Sequence, residues 1–232
     1  MFPLGNNGGD TIIELQRVGR RFDSDPPVDA LIDVDLTVDR GQWVAIVGRS
    51  GSGKSTLLNV LGCLDRQTSG TFLFDGVDVN ELTDRQRAGL RSRGIGFVFQ
   101  SFHLMAHRSV IENVMLAEVY RKENSIGRRQ RAEATLDLVG LGHRVDFMPT
   151  KLSGGERQRA AIARAIMGAP SVLLCDEPTG NLDSLTTKSI LDLFADLNDQ
   201  GLTVIMITHE ADVAARAQRQ VRIVDGRLTE SS

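Results

Sequence analysis

Residues 48–55 read Gly-Arg-Ser-Gly-Ser-Gly-Lys-Ser, the pattern G-x-x-x-x-G-K-[ST]. These residue types suit a phosphate chain. Gly51 and Gly53 carry no side chain, so backbone N–H groups can turn inward around an anion. A helix starting at Lys54 would add its positive dipole end. Lys54 is placed to bridge the β- and γ-phosphates of a nucleoside triphosphate. The Ser55 hydroxyl is expected to ligate Mg²⁺, and Thr56 can donate to the α-phosphate. Gly48, Arg49, Ser50 and Ser52 complete the expected binding loop. The motif alone implies a bound nucleoside triphosphate and does not choose a family.

A second group supplies the missing negative charge. Residues 172–177 read Val-Leu-Leu-Cys-Asp-Glu, an apolar run ending in two acids. Ligands of α/β folds sit at the C-terminal ends of strands. Asp176 is expected to hold Mg²⁺ through its water shell. Glu177 would face the γ-phosphate and polarise the attacking water. Pro178 ends the strand, and Cys175 is expected to be a small core residue.

A third group is a second anion site. Leu152-Ser153-Gly154-Gly155-Glu156-Arg157-Gln158-Arg159 combines a Ser N-cap, two glycines and a helix start. Two phosphate sites this far apart in one chain suggest a nucleotide shared between two chains.

These groups need a scaffold, and the hydrophobic pattern supplies one. Short apolar runs at 43–47, 172–175 and 203–207 predict strands buried on both faces of a parallel sheet. Ordered structure is expected to start at 11–15, and further strands at 31–38, 70–74, 95–99 and 221–224, the last before an Asp225-Gly226 turn. The 31–38 run alternates and reads as a half-buried antiparallel strand. Residues 24–27, with Pro26-Pro27, read as a loop. Helices are expected at 54–61, 83–91 (Thr83 as N-cap), 110–120, 127–139, 154–167, 184–200 and 210–216. Alternating strands and helices make the chain α/β.

Composition excludes several classes. The 232 residues are 41% hydrophobic and 25% charged, enough for a full core. Net charge is −3, which argues against a protein that coats nucleic acid. Arg128-Arg129-Gln130-Arg131 is read as a solvated helix face. No apolar run reaches the roughly 18 residues of a membrane span. Residues 1–10 lack a basic, apolar leader and are expected to form a flexible tail. Cys63 and Cys175 have no partner at metal or disulfide spacing, as in a reducing compartment. His103, His107 and His143 are expected to serve surface or packing roles, and Trp43 to pack in the core.

Taken with the phosphate loop and the acid pair, residues 152–159 make the chain resemble the nucleotide-binding subunit of an ABC transporter, where they look like the signature motif. The resemblance runs from about Thr11 to Leu228. It implies a P-loop NTPase (RecA-like) core at about 11–88 and 161–232, with an antiparallel β subdomain. An inserted helical subdomain at about 89–160 completes a single nucleotide-binding domain at 11–232. Phe22 sits where the family stacks an aromatic on adenine. Gln100 looks like the Q-loop glutamine, contacting Mg²⁺ or water. Residues 180–183 look like the D-loop, with Asn181 and Asp183 at the dimer contact. His209 looks like the switch histidine on the γ-phosphate.

The resemblance also implies a working cycle. Two copies would close head to tail on ATP, each 153–155 segment capping the other's phosphate loop. Catalysis would rest on Glu177, His209, Lys54 and Gln100, with ATP and Mg²⁺ as cofactors. A membrane-spanning permease is expected to dock near residues 100–105, with Phe102, Leu104 and Met105 lining its groove. That places the chain on the cytoplasmic face of the inner membrane. Residues 63–70, 100–104 and 177–183 are closest to the macrolide-export, lipoprotein-release and cell-division branch. A nucleotide-gated regulator of a transmembrane cell-wall-control complex would read the same. Three residues depart from the usual pattern: Arg49 for Pro or Glu, Glu156 for Gln and Phe22 for Tyr.

Overall fold

The computed structural model describes residues 10–119 and 126–230. Most of the expected N-terminal tail and Tyr120, the last residue of the expected 110–120 helix, lie outside them.

Two sheets organise the chain. One is antiparallel and four-stranded, in the order β2-β1-β4-β5. Its strands are β1 (Thr11–Phe22), β2 (Val28–Asp39), β4 (Ser69–Phe74) and β5 (Val77–Asp78). The other has six strands, in the order β10-β9-β3-β8-β7-β6. They are β3 (Trp43–Val47), β6 (Ile95–Phe99), β7 (Val172–Asp176), β8 (Thr203–Thr208), β9 (Arg219–Val224) and β10 (Arg227–Glu230). The five strands from β9 to β6 run parallel, and β10 returns antiparallel along β9.

The apolar runs are continuous because both faces of the large sheet are covered. Val44, Ile46, Val172, Leu174, Ile205 and Ile207 face one core, shared with the small sheet and α1 (Lys54–Leu61). Leu173, Cys175, Val204 and Met206, alternating with them, face a second core. That core is built with α3 (Val110–Met115), α4 (Arg128–Leu138), α5 (Gly154–Ile166) and α6 (Ser184–Asp199). A period of two with both phases apolar is the pattern of a sheet between two layers.

Differences from expectation lie at element ends. Strand β2 is longer than expected, and β1 runs from Thr11 to Phe22, because the two pair over most of their length, through several register shifts. The short strands β5 and β10 have too little apolar content to be read alone. The Asp225-Gly226 turn (φ 47° and 76°) does join β9 to β10 as a hairpin. Helix α2 (Asp84–Gly94) starts on a Thr83–Gln86 capping box. The segment 89–160 is not wholly helical: it opens on the end of α2 and on β6, an edge strand of the large sheet. Its first separate helix is α3, which passes into a 3₁₀ turn over Leu116–Glu118. The short α7 (Ala211–Ala214) follows β8.

Trp43 is buried beside Phe194, with ring centroids 6.5 Å apart. Both cysteines are buried and free. His103 packs edge-on against Phe99. Arg129 pairs with Glu133 and Asp146, and Arg131 with the buried Glu118.

Candidate functional site

Strands β3, β7 and β8 are parallel neighbours, so their C-terminal ends open on one side of the sheet. The segments leaving those three ends line a single cleft of about 910 Å³. After β3 come Arg49, Ser50, Gly51, Gly53, Lys54, Ser55 and Thr56. At the end of β7 are Asp176, its last residue, and Glu177, and after β8 comes His209. Val28, Asp29 and Ala30 of β2 form its outer wall. Gly48 and Ser52 lie beneath: a Cβ on Gly48 would fall 2.7 Å from Ser52 Oγ, and the Ser52 carbonyl accepts from Gly226 N–H.

The loop's conformation follows from glycine. Gly53 is the N-cap of α1 at φ 105°, and a Cβ there would lie 2.5 Å from the Ala30 carbonyl oxygen. A side chain at this position would both strain the backbone and strike β2. Gly53 also gives α1 no side-chain cap. The first N–H groups of the helix are thereby left for a ligand. The Lys54 ammonium lies across the loop and donates to the carbonyls of Gly48 and Arg49, both at 2.8 Å.

On the acid side, Asp176 is half-buried. Its carboxyl is held above the ordinary value, first by burial and then by the Glu177 charge, with Lys54 opposing. Glu177 has φ 45°, an uncommon conformation for a residue with a side chain, and its N–H donates to the Ile207 carbonyl. That turn carries its carboxylate to His209, whose Nδ1 lies 2.9 Å from Glu177 Oε1.

The residues fit a nucleotide with a divalent cation. The cradle of uncapped N–H groups and one lysine matches a polyphosphate. The Ser55 hydroxyl and the Asp176 carboxylate, an under-neutralised acid beside a second one, form a hard oxygen donor set. No group of three or more His, Cys, Asp or Glu side chains clusters for a metal among the described residues. A serine hydroxyl with a carboxylate suits Mg²⁺, which takes one or two carboxylates and completes its shell with water and phosphate.

The remaining expected residues do not line this cleft. Gln100 Nε2 instead faces Asn181 Oδ1 at 3.4 Å, and Asn181 Nδ2 donates to the Gln100 carbonyl. Asp183 caps α6, accepting from the Thr186 N–H and hydroxyl. Phe22, at the end of β1, pairs with Val28 across the sheet and is partly exposed. The Arg20 guanidinium lies 4.3 Å from its ring centroid. Ser153 caps α5 elsewhere in the fold, with Gly154 and Gly155 opening that helix.

At α5, Ser153 Oγ accepts from Glu156 N–H, while Glu156 Oε2 accepts from Ser153 N–H at 2.8 Å. Arg144 adds an ion pair to Glu156 at 3.0 Å. The acid that departs from the family pattern thus closes a capping box. The S-x-x-E spacing could have revealed this from sequence, but Arg144 could not. Gly155 is needed for close approach: a Cβ there would lie 2.5 Å from Thr186 Cγ2 of α6.

Residues 102–105, where a permease is expected to dock, lie beside α5. Leu104 is partly buried against the second core, and Arg157 lies over the Phe102 ring at 5.1 Å. The nearest apolar hollow, about 330 Å³, is lined by Phe97, Phe99, Leu116 and Ala117, with Arg164 at its edge. Arg164 donates to the Phe102 and His103 carbonyls, and so ties residues 102–103 to α5.

This fold and cleft define a P-loop nucleotide-binding protein. A model of the ABC transporter family matches residues 31–180. The chain is 50% identical to the uncharacterized ABC transporter ATP-binding protein YvrO of Bacillus subtilis, over 87% of this chain and 88% of that one. It is also 50% identical to the macrolide export ATP-binding/permease protein MacB of Rhodospirillum rubrum, over 95% of this chain. It spans only 34% of that relative's length. The solved dimer of the ATP-binding cassette MJ0796 bound to ADP and Pi superimposes with a TM-score of 0.86 at 36% identity, covering 94% of this chain and 98% of that one. The chain belongs to the ABC transporter family and is one of its ATP-binding, ATP-hydrolysing components.

Proposed function

We propose that the chain is the Mg²⁺-dependent motor subunit of a transporter of the macrolide-export type, working as a homodimer that ATP closes head to tail. The observation that carries this reading is the Glu177–His209 pair, 2.9 Å apart beside Asp176 and Lys54 in one cleft.

In this mechanism Lys54 exchanges its loop carbonyls for the β- and γ-phosphates, joined by the free N–H groups of α1. Mg²⁺, held by Ser55 and Asp176, supplies charge neutralisation when bound. Glu177 accepts a hydrogen bond from the attacking water and orients it in line. His209 fixes the Glu177 carboxylate through Nδ1 and presents its other ring nitrogen to the γ-phosphate. Gln100, tied to Asn181, joins the site when the D-loop moves. The free face of Phe22 receives adenine, and Arg49 adds a cation at the loop. A second copy's Ser153, Gly154 and Gly155 cover the nucleotide, with Asn181 and Asp183 at the same contact. ATP favours the closed dimer because it touches both chains, and hydrolysis removes that differential affinity.

The membrane partner is a permease whose cytoplasmic segment enters the hollow lined by Phe97, Phe99 and Leu116. No helix among the described residues is long and apolar enough to cross a membrane, so attachment at the cytoplasmic face of the plasma membrane rests on that partner. The MacB relatives, which carry ATP-binding and permease parts under one name, favour an export-type partner over other roles of this branch.

Glu177→Gln tests the reading. It should bind Mg-ATP, slow turnover by about 10²–10⁴-fold, run as a dimer with Mg-ATP but not Mg-ADP, and recover a permease from solubilised native membranes. A monomer under Mg-ATP, or turnover equal to the parent's, would refute it.

A further inference from the structure

A second cavity, of about 280 Å³, lies between the segment after α1 and the start of α2, away from the nucleotide cleft. Arg66, Thr68, Ser69, Asn80 and Arg87 are among its lining residues. Arg87 is the unusual one. It is 6% exposed, and it has no carboxylate partner among the described residues. Its Nη2 donates to the Asp65 carbonyl, at 2.7 Å. Its Nε–H is buried without any partner. The nearby acids are engaged elsewhere: Asp65 pairs with Arg20, and Asp84 with Arg66. The Cys63 thiol also touches Arg87, but burial pushes it up to about 11, so it stays neutral and supplies no counter-charge.

A buried guanidinium with an idle N–H is costly unless a counter-charge meets it. The Nε–H itself is sealed from the cavity, and water in the cavity would not meet the charge. An oxyanion would, since guanidinium presents N–H groups in a fork that matches phosphate oxygens. Arg66 offers a second guanidinium at the rim, paired with the exposed Asp84. Hydroxyls and amides of the lining suit the remaining oxygens.

We propose that this cavity is a binding site for a phosphate group, either orthophosphate or a small phosphomonoester, with Arg87 as its buried anchor and Arg66 as its outer contact. The site joins β4, the end of α1 and α2, and is separate from the phosphate loop at the other end of α1. An occupant would brace β4 of the small sheet against α2.

Isothermal titration of the nucleotide-free chain with sodium phosphate, at matched ionic strength, tests this. Lys54→Ala removes phosphate-loop binding from the signal. One saturable site should persist in Lys54→Ala. Adding Arg87→Leu should weaken that site by about tenfold or more, as expected for a lost charge-assisted contact. Adding Arg66→Ala should weaken it less. Arg66 is exposed, so that variant decides the matter if Arg87→Leu fails to fold. Glycerol 3-phosphate, titrated in parallel, separates a phosphomonoester from the free ion by whichever binds more tightly. Unsaturable binding of both ligands, or affinity unchanged by the arginine substitutions, would overturn the proposal.

Discussion

The helices α1 and α5 both begin where the sequence offers glycine and a small hydroxyl residue, and both were expected to meet phosphate. They differ in how their first turn is finished. At α1 the N-cap is Gly53, which has no side chain to give, so the N–H groups point into a cleft that also holds Lys54, Asp176 and Glu177. At α5 the N-cap is Ser153, and Glu156 returns its carboxylate to close the box. The first helix end is a site in the single chain. The second is a rigid surface whose own polar groups are already partly satisfied, and in the dimer proposed above it joins a site against another copy. A glycine cap leaves a helix open to ligand, whereas a reciprocal cap stores the same polarity as structure.

The largest test of this contrast separates the two ends. Lys54→Ala should reduce ATP turnover by about 10²-fold or more and weaken nucleotide binding to the isolated chain. Ser153→Ala should leave single-chain ATP affinity unchanged, by fluorescence titration, yet abolish ATP-driven dimerisation. Equal loss of affinity in both variants would break the comparison.

Gly155 probes the packing that holds the second end. Gly155→Ala should destabilise the chain by about 1–3 kcal/mol, because its Cβ meets Thr186 Cγ2. Thr186→Ser deletes that methyl and keeps the hydroxyl bonded to Asp183. The double variant should regain most of the lost melting temperature. Failure to do so would place the strain elsewhere.

Glu156→Gln should cost about 0.5–1 kcal/mol at neutral pH, as for an acid removed from a helix N-terminus. The Glu156 carboxyl sits below its ordinary value, held there first by the Ser153 N–H and then by the Ser153 hydroxyl and Arg144. Its stabilisation is therefore complete above the ordinary glutamate pKa of about 4.3. It is lost as pH falls from there through the lower folded value. Melting curves of the parent and the variant should converge in acid.

The smallest effect has the opposite sign. Asp176 is held above its ordinary value, so its ionised form at neutral pH opposes folding. Asp176→Asn should raise the melting temperature of the nucleotide-free chain slightly while removing turnover. A fall in melting temperature would show that the carboxylate is structurally supported.

Much of the fold was legible because its strands are apolar in both phases, which only a sheet covered on two sides requires. The cleft was legible because each cleft motif follows a strand end directly: Lys54 after β3, Glu177 after β7 and His209 after β8. The motifs said less about Gln100, whose side chain turns to Asn181, 81 residues later in the chain. They also said little about how Phe102, Leu104 and Met105 are held, the first under Arg157 and the last exposed. Apolar type does not say whether a residue packs against a core, as Leu104 does, or rims a hollow, as Phe99 does.

By itself the sequence determined the chemistry available: a glycine loop with a lysine, two acids at a strand end, a serine-capped helix and a histidine. Those are local, because a turn or a cap is set by neighbours in the chain. Only the tertiary structure decided which of these groups share a cleft. It set the 2.9 Å approach of His209 to Glu177, the contact of Gly155 with Thr186 and the burial of Arg87 without a counter-charge. Such distances depend on how strands far apart in sequence lie side by side, and residue spacing along the chain does not encode them.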